Sequence, residues 1–187
     1  MISTMNSMRF YFLGLLSFLV SLVNGQSYQK TDLGLSIVID SIKTEISFYS
    51  PSAVRIVKSP VGRSFTKESL SVIKKPQKTA FSTKQQGDVL NLKSDKLVVS
   101  LNVKSAAISY ATVSGQILLK EKQDSVKFIP FTDAGNNTFT ILQGYTLDKD
   151  EAIYGLGQQQ QGRMIQRNLR MNMIQNNTSD YVPFFNP

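Results

Sequence analysis

The 187-residue sequence contains no cysteine, no histidine and no tryptophan. Without cysteine there can be no disulfide, so a hydrophobic core alone must hold the fold. Attachment of a lipid through an N-terminal cysteine is excluded as well. Without histidine there is no Ser-His-Asp triad, no imidazole metal ligand, and none of the commonest general base. With thiolates also missing, zinc and iron–sulfur centres lose their usual ligands, and no metal or cofactor is expected. The lack of indole rings counts against a free-standing carbohydrate-binding module, because such surfaces often stack sugar rings on tryptophan.

Long apolar runs are scarce too. The one that exists, Phe10 to Val23, follows the lone basic residue Arg9 and leads to Gly25 just before Gln26. A basic start, a short apolar stretch and a small residue form a secretory signal peptide, so cleavage after Gly25 is expected. The run is shorter than the roughly 20 residues a spanning helix needs, so no stable membrane span is expected. Residues 1–25 are thus read as signal peptide and 26–187 as one exported domain, periplasmic or at the cell surface. An exported chain free of cysteine suits a bacterium better than a small eukaryotic secreted domain.

Acidic residues are the minority, 13 against 21 Lys and Arg, for a net charge of +8. The basic residues are dispersed, with Lys74-Lys75 the one tight pair in strand-rich sequence. Dispersed lysines on strands blunt sheet edges, and no nucleic-acid partner is expected.

What the chain does contain is alternation. Leu35, Ile37 and Ile39 share one face, as do Ile46 and Phe48, then Leu97, Val99, Leu101 and Val103, then Phe139 and Ile141. A period of two marks strands with one buried face. Turn residues separate the runs: Ser50-Pro51, Ser59-Pro60 with Gly62, Gly87-Asp88, Ser114-Gly115, and Asp133 through Asn137. Strands recurring every 8–12 residues or so predict an all-β, antiparallel sandwich or barrel. Leu169, Met171 and Met173 fit a further strand. The chain stops at "DYVPFFNP", just after an aromatic-rich strand pattern, so the sandwich is expected to be incomplete.

Three constellations invite chemistry. Gly155-Leu156-Gly157 opens like a dinucleotide loop, but Gln160 stands where the third glycine belongs and no helix follows. A sharp structural turn is the plainer reading of Gly155 and Gly157. Asp148, Asp150 and Glu151 cluster, and a glycosidase needs two carboxylates facing one bond, but these sit in a charged turn. No catalytic residue is assigned. Asn136-Asn137-Thr138 and Asn176-Asn177-Thr178 match the N-glycosylation pattern and read more simply as turns.

"DEAIYGLGQ", followed some twenty residues later by "DYVPFF", resembles the N-terminal β-sandwich of glycoside hydrolase family 31, the α-glucosidase and α-xylosidase family. "SAVRIVKSP" is similar to an early strand of that domain, and "LKSDKLVVSLNVKSAAISYATVSGQILLKE" to its paired strands and glycine-bearing hairpin. The likeness runs from about Leu35 to Phe185, and "YGLGQQQQGRM" is most like secreted Bacteroidetes-type members. The resemblance implies a galactose-mutarotase-like sandwich packed on a (β/α)₈ barrel that carries both catalytic aspartates, to which no residue here corresponds. It also implies that a loop matching Gln175, Asn176, Asn177, Thr178, Ser179, Asp180 and Tyr181 borders the sugar pocket, with oligosaccharide as the partner. Many members have Asn-x-Asp in this loop; Thr178 stands in place of that aspartate, and Asp180 is the available substitute. Gln175, Asn176, Asn177, Asp180 and Tyr181 are the candidate substrate-binding residues. The implied role is that of a non-catalytic part of an exported retaining α-glycosidase. The alternative is a free-standing carbohydrate-binding or adhesion sandwich.

Overall fold

The computed structural model describes residues 28–64, 67–70, 72–158, 160, 162–175, 177 and 179–186. The expected signal peptide, residues 1–25, lies outside them. Among the described residues there is no helix, and the strands are antiparallel throughout.

A first sheet is a meander of β1 (Gln29–Lys30), β2 (Gly34–Ile39), β3 (Ile42–Ser50) and β4 (Ala53–Pro60), paired in that order. A second begins with β5 (Ser82–Gln86), β6 (Val89–Lys93), β7 (Leu97–Asn102), β8 (Ile108–Thr112) and β9 (Ile117–Glu121), each paired with the next. Two further strands, β10 (Lys127–Asp133) and β11 (Asn136–Leu142), form a hairpin of their own. Then β12 (Tyr145–Thr146) returns to the free edge of β9, making the second sheet six-stranded.

The alternation read from sequence becomes a core. Leu35, Ile37 and Ile39 of β2 and Ile46 and Phe48 of β3 turn inward; Leu90, Leu92, Leu97, Val99, Leu101 and Ile108 meet them from the six-stranded sheet. One continuous cluster from both inner faces is the packing of a sandwich. Each such aliphatic side chain taken out of water stabilises the fold by about 1.5–3 kcal/mol. Phe81 packs on Phe48 with ring centres 5.3 Å apart and extends the cluster at its margin.

Three expectations need correction. Phe139 and Ile141 do lie on a strand, β11, but neither is buried: Phe139 is partly exposed and Ile141 is 63% exposed, lining an open cleft. Asn136, Asn137 and Thr138 belong to that strand and not to its turn, which is Ala134-Gly135 with φ of 45° and 81°. Leu169, Met171 and Met173 form no strand, although the apolar alternation is present.

Candidate functional site

The glycine-bearing segment is anchored from behind by its own turn. Glu151 Oε2 accepts from the Asp148 N–H at 2.7 Å, and Arg167 Nη1 donates to the carbonyls of Asp148 (2.7 Å) and Glu151 (2.6 Å). The Gln166 N–H donates to the Ile153 carbonyl at 2.7 Å. The acidic cluster is therefore a turn tied together by an arginine, with Asp148 and Glu151 engaged in its closure.

From this turn the chain enters β13 (Tyr154–Gly155), which pairs antiparallel with β14 (Phe185–Asn186). Beyond it, the Leu156 N–H donates to the Phe184 carbonyl at 2.7 Å, and Gln158 and Asp180 exchange backbone bonds of 2.7 and 2.9 Å. Gly155, Leu156 and Gly157 have φ of 100°, 65° and 93°, a left-handed run that two glycines make affordable. Sterics point the same way. A Cβ on Gly155 would lie 2.6 Å from the Phe184 carbonyl oxygen, and one on Gly157 would overlap the carbonyl oxygen of Asp180. The two glycines thus let segment 180–186 lie directly against segment 154–158.

That pairing places the predicted loop. Gln175 is exposed, but its carboxamide is engaged: Nε2 donates to the Tyr181 carbonyl at 2.7 Å and Oε1 accepts from the Tyr181 N–H at 3.0 Å. Asn177 stands exposed in the turn between them. Asp180 uses its backbone on Gln158 and is exposed, while Tyr181 is partly buried. Asn176 and Thr178 lie outside the described residues. Gln175, Asn177, Asp180 and Tyr181 are thus brought into one loop braced on the glycine segment.

A second feature was not visible in the sequence. Lys58 of β4 and Glu121 of β9 form an ion pair at 2.5 Å, with side chains only 6% and 1% exposed. Glu121 also accepts from the Ile108 N–H (2.9 Å) and Gln143 Nε2 (2.7 Å), and Lys58 Nζ donates to the Ala106 carbonyl (2.8 Å). Two ions withdrawn from water persist only when such extra bonds offset their desolvation. The pair joins the two sheets at one side of the sandwich and lines a cleft of about 600 Å³. Tyr110, Tyr145, Gln143 and Phe128 share its wall with Val54, Leu118 and Ile141. Burial first, then the Glu121 carboxylate and then Tyr145, hold the Tyr110 phenol far above its ordinary range. Burial and then Glu121 raise Tyr145. Both hydroxyls therefore stay protonated at neutral pH and are available as neutral donors and acceptors. The Tyr145 ring meets Phe185 of β14 edge-on at 5.8 Å, so the cleft and the glycine segment adjoin. Among the described residues no group of three or more Asp and Glu could hold a metal ion, and no helix is long and apolar enough to cross a membrane.

Known proteins share this fold. Residues 43–183 match the family described as the glycosyl hydrolase 31 N-terminal galactose mutarotase-like domain. A GH31 α-xylosidase from Xanthomonas citri is similar over 84% of this chain, with 27% identity and a TM-score of 0.77. A GH31 α-xylosidase from a soil metagenome, solved with xylose, shares 19% identity over 85% of the chain, with a TM-score of 0.71. The Flavobacterium johnsoniae GH31 dextranase, solved with glucose, shares 17% over 85%, with a TM-score of 0.62. This chain spans 17%, 26% and 20% of those three chains. The matched stretch runs from β3 through β13 and so includes the glycine segment, and the chain belongs to the glycosyl hydrolase 31 N-terminal galactose mutarotase-like domain family.

Proposed function

We propose that this chain is the non-catalytic N-terminal sandwich of an exported retaining α-glycosidase acting on α-glucosides or α-xylosides. Residues 1–25 serve as its signal peptide. Residues 26–187 support the catalytic barrel and border its sugar pocket with the 175–181 loop. One observation carries the reading: Ile129, Phe131 and Leu142, which share one face of the β10–β11 hairpin, and Val182 and Phe184 of the 180–186 segment are all 45% or more exposed, on a domain whose solved relatives are several times longer. Exposed apolar surface of this kind marks an interaction face, and the barrel is the partner the family supplies. The relatives solved with xylose and glucose support a saccharide substrate for the whole enzyme.

Purified residues 26–187 should show no turnover of an aryl α-xyloside or α-glucoside above a buffer blank, and should bind a hydrophobic dye. Joined to the barrel, the same domain should lose most of that dye binding. Turnover by the isolated domain that disappears in Asp148→Asn or Glu151→Gln would overturn the non-catalytic role. Dye binding unchanged by the barrel would overturn the docking face.

A further inference from the structure

The loop expected to meet sugar has two feet, and they are held differently. Its exit, 180–186, is bonded along the glycine segment through Gln158–Asp180, Leu156–Phe184 and the β13–β14 pair. Its entry, at Gln175, is tied across the loop by a side chain. Both ends of the Gln175 carboxamide face the same peptide group pair of Tyr181, donor to carbonyl at 2.7 Å and acceptor to N–H at 3.0 Å. Such a two-point contact uses one donor and one acceptor of the side chain at once and mimics a backbone ladder pair. A carboxamide so engaged is a poor sugar ligand, because a hydroxyl must compete for bonds already made.

We propose that Gln175 is a positioning residue: its carboxamide clasps Tyr181 and so fixes the loop that presents Asn177 to the saccharide. This rests on the reading that the loop borders the sugar pocket. The clasp accounts for a glutamine at the loop entry, since asparagine is one methylene shorter and glutamate carries no donor when ionised.

Glutamate at 175 gives the test a signal that a merely structural residue would not produce. A protonated carboxyl offers a hydroxyl donor and a carbonyl acceptor, as the amide does. An ionised one faces the Tyr181 carbonyl with no donor. In Gln175→Glu both bonds of the clasp should be intact at low pH, and the bond to the Tyr181 carbonyl lost as pH rises through the carboxyl range, ordinarily near 4.3. The other titratable side chains on the loop and the facing 154–158 and 182–186 segments are Asp180, Tyr181 and Tyr154, all present in the unsubstituted chain, which is the control.

The Tyr181 amide is followed by NMR hydrogen exchange and, in the full-length glycosidase, KM is measured on an aryl α-glycoside. Gln175→Ala should speed Tyr181 exchange about five-fold and raise KM more than it lowers kcat. Gln175→Glu should match the unsubstituted chain near pH 3.5; near pH 7 its Tyr181 carbonyl carbon shift should match that of Gln175→Ala, while the carboxylate still accepts from the Tyr181 N–H. Tyr181 exchange unchanged in Gln175→Ala would overturn the clasp and leave the pocket reading standing if Asn177→Ala still raises KM. Faster exchange with KM unchanged in both Gln175→Ala and Asn177→Ala would overturn the pocket reading, and the positioning role with it.

Discussion

Residues 28–121 and residues 122–186 are written in the same strand-forming alphabet and reach opposite ends. In the first stretch two sheets share one core, and its buried apolar side chains run from Leu35 to Ile108. In the second, among the described residues, no apolar side chain is buried; Gln166 is the one buried residue. The hairpin β10–β11 makes seven consecutive pairs, as regular as any ladder in the sandwich, yet Phe131 and Ile141 remain open. Backbone pairing and burial are thus separate achievements. A ladder needs only a neighbouring strand, whereas burial needs a second layer about 10 Å away. The first half supplies its own second layer. The second half, among the described residues, leaves its apolar side chains partly or largely exposed.

The sharpest way to break this contrast uses one residue type in both places. Phe48 is fully buried and Phe131 is 52% exposed. Phe48→Ala should cost about 3–5 kcal/mol, the range for deleting a core aromatic ring. Phe131→Ala should cost less than about 1 kcal/mol. Urea melts of the two variants measure both. Similar losses would mean that the hairpin is part of the core energetics, and the division of the molecule would fall.

Many of the strands and turns could be read in advance, but this division could not, and the unread part has physical causes. Gly87-Asp88 and Ser114-Gly115 mark their turns because glycine tolerates the φ of 57° and 93° found there. The turn at Asp40-Ser41, with φ of 47° and 63°, has no glycine or proline to announce it. The inward faces of β2, β3 and β7 were legible because alternation reports which residues share a face. It does not report whether anything lies opposite, so Phe139 and Ile141 looked the same as Val99 and Leu101. Leu169 to Met173 alternates too, yet forms no strand. Glu121 looked like an ordinary surface charge at a strand end; its partner Lys58 lies 63 residues away in another sheet. Gly155 and Gly157 were legible as a forced turn, but not the Asp180 and Phe184 carbonyls that would collide with any larger residue.

Gly157→Val tests whether the second region is ordered separately from the first. The new side chain would collide with the Asp180 backbone at a φ of 93° that suits only glycine. Strain of about 1–3 kcal/mol should release the Gln158–Asp180 pairing. Because the atoms nearest that Cβ belong to Asp180, Tyr181 and Val182 and not to the core, the melt midpoint of the sandwich should fall far less than in Phe48→Ala. Limited proteolysis should instead open sites between 158 and 180. A variant that unfolds as completely as Phe48→Ala would show the two regions to be one cooperative unit.

The smallest effect belongs to the loop itself. Asn177 is exposed, lies in a turn, and supports nothing in the core. Asn177→Ala should therefore change stability by no more than about 0.5 kcal/mol. If the loop borders the sugar pocket, the same change in the full-length glycosidase removes one neutral hydrogen bond to a substrate hydroxyl. That is about 0.5–1.5 kcal/mol, or roughly 2- to 12-fold in kcat/KM. The loss should be larger for a substrate that keeps the contacted hydroxyl than for its deoxy analogue, since only the former has a bond to lose. Equal losses on both substrates would mean that Asn177 acts through loop shape. No loss on either, with stability unchanged, would place the pocket border elsewhere on the domain.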